Sequence, residues 1–185
     1  MRSEHPKPQL QGVTYTDSQV EIFYRSLREM HHFIGSSYLG YFAEDLRHGR
    51  RIGFASNPDW QSEYVGARLI EDCHLWKAVT NQFIETGREF LVFPWECVSP
   101  LTSREKDIQL YRSENDIGTN GISFCTQRDG VREFFALAPD SRCPKFLNHV
   151  SKHLPLIKQH IELFRAETFL NQRPASIACE ALCRK

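Results

Sequence analysis

Residues 54–76 read FASNPDWQSEYVGARLIEDCHLW. The stretch opens as a turn, because Ser56, Asn57, Pro58 and Asp59 each favour bends or helix starts. From Asp59 its pattern is helical, and Trp60 and Tyr64, four residues apart, share one helix face. Two large rings with polar tips, followed by the carboxylate of Asp72, can wall a pocket that is apolar yet bonds a polar head group. The same spacing also suits two core aromatics and a solvated carboxylate at a helix end.

On the N-terminal side, Asp17 is a candidate cap for a helix running to about Phe33, with Val20, Phe23, Tyr24, Leu27, Met30 and His31 at helical spacing. The adjacent His31 and His32 would point in different directions, one inward and one to solvent, and so do not make a metal pair. SYLGYFAEDL (37–46) is rich in strand-favouring aromatics, RHGRR is a turn, and Arg51 to Ala55 forms the returning strand.

On the C-terminal side, a helix from Leu75 to about Thr86 should end on Gly87. FLVFPW (90–95) is a short strand whose Pro94 marks an edge or an end. Ser103 to Asn115 reads as an amphipathic helix capped by Ser103, with Ile108, Leu110 and Tyr111 inward. A glycine turn at Gly118 and Gly121 leads into a strand. Asp129-Gly130 is a strong hairpin signal, and Val131 to Ala138 is the last strand. From Pro144 to Asn171, Phe146, Val150, Leu154, Ile157, Ile161 and Phe164 repeat at helical period, and Pro155 should kink or divide that helix.

This order predicts an α/β fold of the α+β kind: an α/β/α sandwich with an antiparallel sheet of about five strands, PAS- or GAF-like, with room for a pocket between sheet and helices. At 185 residues the chain suits one compact domain. Residues 1–16 are expected to be a flexible arm, 17–171 the ligand-binding domain, and 172–185 a tail or short helix.

Lys and Arg total 23, matching 23 Asp and Glu. A balanced charge argues against a surface that grips nucleic acid by bulk electrostatics. No stretch approaches the ~18 apolar residues of a membrane span, and the polar N-terminus lacks a secretory pattern. Six cysteines without a C-x-x-C pair then read as reduced thiols of a cytoplasmic protein. Cys179 and Cys183 lack a neighbouring histidine, so neither a metal nor another cofactor is expected. Cys73 beside His74 cannot form a nucleophile–base pair on a helix, and nothing in the sequence joins Cys125 to His149. A non-enzymatic protein is therefore expected.

Four segments in order resemble the autoinducer-binding domain of LuxR-type quorum-sensing regulators. FASNPDWQSEY resembles the family's turn-P-x-x-W-x-x-x-Y segment, and Asp72 lies close to the family's Asp-Pro. FPWE (93–96) resembles the F-x-W segment that closes the pocket, and NGISFCTQRDG (120–130) its turn, strand and hairpin. The resemblance implies a pocket for an acyl-homoserine lactone or a similar amphipathic ligand. Trp60 would donate to the lactone carbonyl, Asp72 would accept the amide N–H, Tyr64 would line the acyl chain, and Trp95 would pack on the ring. Phe93 and Ser56 complete the implied ligand-binding set.

The chain departs from the family where Ser56 replaces a tyrosine, where Cys73 replaces the proline after a Trp-to-Asp spacing one residue short, and in EFFALA (133–138), which lacks a facing hydroxyl. Too few residues follow Asn171 for the family's DNA-reading helix-turn-helix. The implied protein is thus a stand-alone sensor without direct DNA binding, acting as a homodimer or by pairing with a full-length regulator. The alternative is a ligand-free interaction module on the same scaffold, its pocket filled by Trp76 and Phe83.

Overall fold

A computed structural model describes residues 15–139, 143 and 145–170. Helix α1 (Asp17–Ile34) begins at Thr16, one residue before the expected cap. The Thr16 hydroxyl accepts from the Gln19 N–H while the Gln19 side chain reaches back to the Thr16 N–H, a reciprocal capping box. The helix ends at Gly35, whose left-handed backbone (φ 76°) suits glycine. His31 and His32 are both exposed, so neither turns inward as expected.

Strands β1 (Ser36–Asp45) and β2 (Arg50–Ala55) form a hairpin. Helices α2 (Pro58–Gly66), α3 (Leu69–Asp72) and α4 (His74–Thr86) follow. Strand β3 (Phe90–Pro94) runs into a short 3-10 turn at Trp95–Cys97, and α5 (Ser103–Glu114) leads to the hairpin of β4 (Ile122–Arg128) and β5 (Val131–Pro139). Asp129 and Gly130 take positive φ at its tip, as the dipeptide predicts. The long C-terminal helix is divided into α6 (Phe146–Lys152) and α7 (Leu154–Arg165), with Pro155 in the first turn of α7, where its missing N–H costs nothing. A π-helical turn, Ala166–Leu170, continues from it.

The five strands make one antiparallel sheet in the order β2-β1-β5-β4-β3. The expected five-stranded sandwich is therefore the observed one. Side chains alternate across each strand. In β1, Leu39, Tyr41 and Ala43 join Phe23, Met30, Phe135 and Phe164 in a core under α1, α6 and α7. Tyr38 and Phe42 face the opposite layer of α2 to α5.

The first layer is pinned by polar contacts as well as rings. Glu133, 1% exposed, accepts from Tyr41 (2.7 Å) and Thr126 (2.7 Å) and pairs with Arg165 of α7. Paired in this way, a carboxylate can be buried without a prohibitive desolvation penalty. His160 of α7 bridges Ser26 (2.7 Å) and Glu29 (2.9 Å) of α1. Rings and buried polar pairs fill this layer, and the enclosed cavity described below lies on the other face of the sheet.

The expected arm over residues 1–14 and tail over 172–185, with Cys179 and Cys183, fall outside the described residues. Tyr15 and Thr16, expected in the arm, belong to the domain: Tyr15 is buried, with its ring 4.5 Å from Phe54, and Thr16 caps α1. Among the described residues, no helix is long and apolar enough to cross a membrane, and no group of histidine, cysteine and acidic side chains is placed to hold a metal ion.

Candidate ligand-binding site

Between the sheet and the α2–α5 layer lies a cavity of about 90 Å³, the space open to the centre of a water molecule. That is several times the ~10–15 Å³ needed to hold one water. Its walls come from β1 (Tyr38, Gly40), α2 (Trp60, Tyr64), the turn after β3 (Trp95) and α5 (Arg112), with Ser123 on β4.

Asn57 caps α2, its side chain accepting from the Trp60 N–H at 3.0 Å, and Pro58 presets the first turn. The helix places Trp60 and Tyr64 as the sequence predicts: their rings stack with centroids 4.9 Å apart, and both line the cavity. Trp95 joins them from the far side and donates its indole N–H to the Ser123 hydroxyl at 2.9 Å. It packs against Gly121, where a Cβ would sit 2.5 Å from the indole ring. Gly40 plays the same part for Tyr38, whose hydroxyl would be 2.6 Å from a Cβ there. Burial pushes the phenols of both Tyr38 and Tyr64 up, against a smaller opposing effect of the Arg112 charge, so both stay protonated donors.

Three expected positions lie elsewhere. Asp72 is about half exposed and faces Arg104 (3.5 Å) and Lys77 (3.9 Å) instead of the cavity. Cys73, 2% exposed, takes the inward place beside it. With the Trp-to-Asp spacing one residue short, the acid turns out and the thiol turns in. Ser56 extends the β1–β2 pairing: its N–H donates to the Leu39 carbonyl (2.8 Å) and its hydroxyl accepts from the Leu39 N–H (3.1 Å). Phe93 packs half-buried against the cluster of Phe42, Val79 and Phe83 and does not line the cavity.

Arg112 is the residue that sequence reading missed. Leu110, expected inward, is 60% exposed, whereas Arg112 is 5% exposed. The signal was present in the helical period, since Arg112 follows Ile108 by four residues and Leu110 by only two, on the opposite side of a 3.6-residue turn. The Arg112 guanidinium lies 4.9 Å from the centre of the Trp95 ring. Tyr38 and Ser123 were missed as well, although strand alternation marks both.

The far end of the site is occupied. Trp76 packs 4.4 Å from Phe134 and edge-on to Phe42 at 5.2 Å, and Phe83 is fully buried. Cys125 is fully buried, which pushes its thiol up and disfavours the thiolate, and His149 meets Cys143 (3.9 Å).

Solved structures share this architecture, among them one of a LuxR family transcription factor. Among solved structures the chain resembles Escherichia coli SdiA, with a TM-score of 0.57 and 10% identity, over 85% of this chain and 64% of that one. It also resembles the N-acylhomoserine lactone dependent LuxR family transcription factor CepR2 from Burkholderia cenocepacia, with a TM-score of 0.51 and 12% identity, over 84% of this chain and 98% of that one. The chain thus spans less than two thirds of the length of SdiA. At such identities the likeness establishes the fold. No protein-family model and no curated protein sequence matches the chain.

Proposed function

We propose that this domain is a small-molecule sensor that holds an amphipathic ligand, of the acyl-homoserine lactone kind or similar, between the sheet and the α2–α5 layer. The observation that carries this reading is the convergence of Trp60, Tyr64 and Trp95 on one cavity that is apolar except for a few inward donors. Such a site binds the apolar part of a ligand by area, at roughly 0.8 kcal/mol per buried methylene, and orients its polar end by hydrogen bonds. The likeness to a lactone-dependent regulator is consistent with that use of the fold. Occupation of the cavity would tie α2 and α5 to the sheet, and the signal would pass on by dimerisation or by pairing with another regulator.

A melting-temperature screen of the folded protein against acyl-homoserine lactones and fatty acids of graded chain length tests the reading. A ligand bound only by the native state raises the melting temperature with concentration. A flat response to every member would overturn it. Such a result would favour the second reading, an interaction module whose own rings fill the site, which the packing of Trp76 against Phe42 and Phe134 supports.

A further inference from the structure

Arg112 is buried without an ionic partner. Its Nε and Nη2 atoms are enclosed and make no hydrogen bond, and among the described residues no carboxylate comes within ion-pair distance of it. Arginine is almost never fully buried unless paired, and its planar fork matches a carboxylate through two parallel N–H···O bonds. The acidic side chain nearest along α5 on the same face, Glu105, is already engaged by Lys77 (3.0 Å) and by the backbone N–H groups of Leu101 (2.7 Å) and Thr102 (3.2 Å). Tyr38 and Tyr64 are held protonated and supply no negative charge. His74, buried close by, is pushed toward its neutral form by burial and by the Arg112 charge.

From this we propose that the cavity takes a ligand whose polar end is a carboxylate, with Arg112 as its counter-ion and an apolar chain running along Trp60 and Tyr64. The inference rests on the sensor reading above and narrows it from a neutral head group to an anionic one. The remaining geometry fits a carboxylate. Arg112 borders the cavity with its guanidinium carbon 4.9 Å from the centre of the Trp95 ring, so the indole holds the cation beside the space a ligand would fill. Ser123 accepts from the Trp95 indole, which leaves its own O–H proton for a second acceptor. Asp72, the carboxylate that would repel such a ligand if it faced inward, is turned to Arg104 and Lys77. A neutral ester or lactone carbonyl could accept one of these bonds but would leave the buried positive charge uncompensated.

Two kinds of molecule share this chemistry, a fatty acid and an N-acyl homoserine whose lactone ring has opened. Titration calorimetry of the full chain at pH 6.5, where the closed lactone hydrolyses slowly, should therefore compare four probes: octanoate, N-octanoyl-homoserine, N-octanoyl-homoserine lactone and methyl octanoate. The expected result is that at least one of the two carboxylates binds tenfold or more tightly than its own neutral counterpart, and the stronger of the two names the source. In Arg112→Gln that preference should vanish through loss of carboxylate binding. If neither carboxylate binds the unsubstituted protein more tightly than its own neutral counterpart, the charge assignment is overturned while the sensor reading stands. If none of the four binds, both fall. The comparison on the unsubstituted protein decides the matter even where Arg112→Gln does not fold.

Discussion

At the scale of single residues, the site depends on side chains that the local pattern ranks low. Gly121 has no side chain, yet it decides where Trp95 lies. A methyl group at that position would meet the indole at 2.5 Å and the Leu137 carbonyl oxygen at 2.7 Å, and the backbone oxygen cannot move aside as a flexible side chain could. Gly121→Ala should therefore destabilise the domain by roughly 1–3 kcal/mol and shift the tryptophan emission. Gly66, at the end of α2 with open space around it, should accept alanine with no loss. Denaturant midpoints of the two variants test this, and equal stability would remove the claim that Gly121 seats Trp95. That Trp60 and Tyr64 share one face was readable from their four-residue spacing. The direction of Asp72 was not, because one residue of register separates an inward carboxylate from an outward one, and only the course of α3 sets that register.

At the scale of elements, α5 matters because it carries Arg112, and its N-terminus is held by more than helix propensity. Thr102 and Glu105 form a reciprocal capping box, and Glu105 also receives Lys77 from α4. The Leu101 N–H, then Lys77, draw the Glu105 carboxyl down to about 2, from its ordinary 4.5, against the opposing effect of burial. A carboxyl lowered on folding stabilises the folded state above its unfolded value, and that contribution disappears as pH falls from about 4.5 toward 2. Glu105→Gln should thus be less stable than the parent at pH 7, and the gap should narrow steadily between pH 5 and pH 2. A constant gap across that range would mean that the charge contributes nothing. The start of α5 was legible to within one residue, as Ser103 in the sequence and Thr102 in the structure. Its inward face was legible only in the period and not in the polarity: Leu110 is the more apolar residue, but Arg112 follows Ile108 by about one turn.

At the scale of the whole molecule, one sheet separates a closed core from a hollow one. Phe164 of α7 is 1% exposed and packs on Tyr41 (4.6 Å), Phe54 (5.8 Å) and Phe135 (5.9 Å), on the side away from the cavity. Phe164→Ala should cost about 3–5 kcal/mol of unfolding free energy while leaving ligand affinity unchanged at temperatures where the variant stays folded. Parallel denaturation and calorimetry would separate the two effects. A matching loss of affinity would mean that the two layers are coupled through the sheet. The division of labour follows from strand alternation: neighbours such as Tyr41 and Phe42 belong to different cores, so a residue can stabilise the scaffold without touching the site.

By itself the sequence determined the elements and their order. The strand-favouring aromatics of residues 37–46, the Asp129-Gly130 turn, the proline that divides the last helix and the Trp60–Tyr64 spacing are local signals, and the backbone obeys them because each is decided within a few residues. Tertiary structure alone decided which groups meet. The turn of α3 sent Asp72 outward, and the packing of Ile108 brought Arg112 in and left it facing the cavity. Local period and alternation mark which residues share a face, but which face turns to the cavity depends on contacts between residues far apart in the chain.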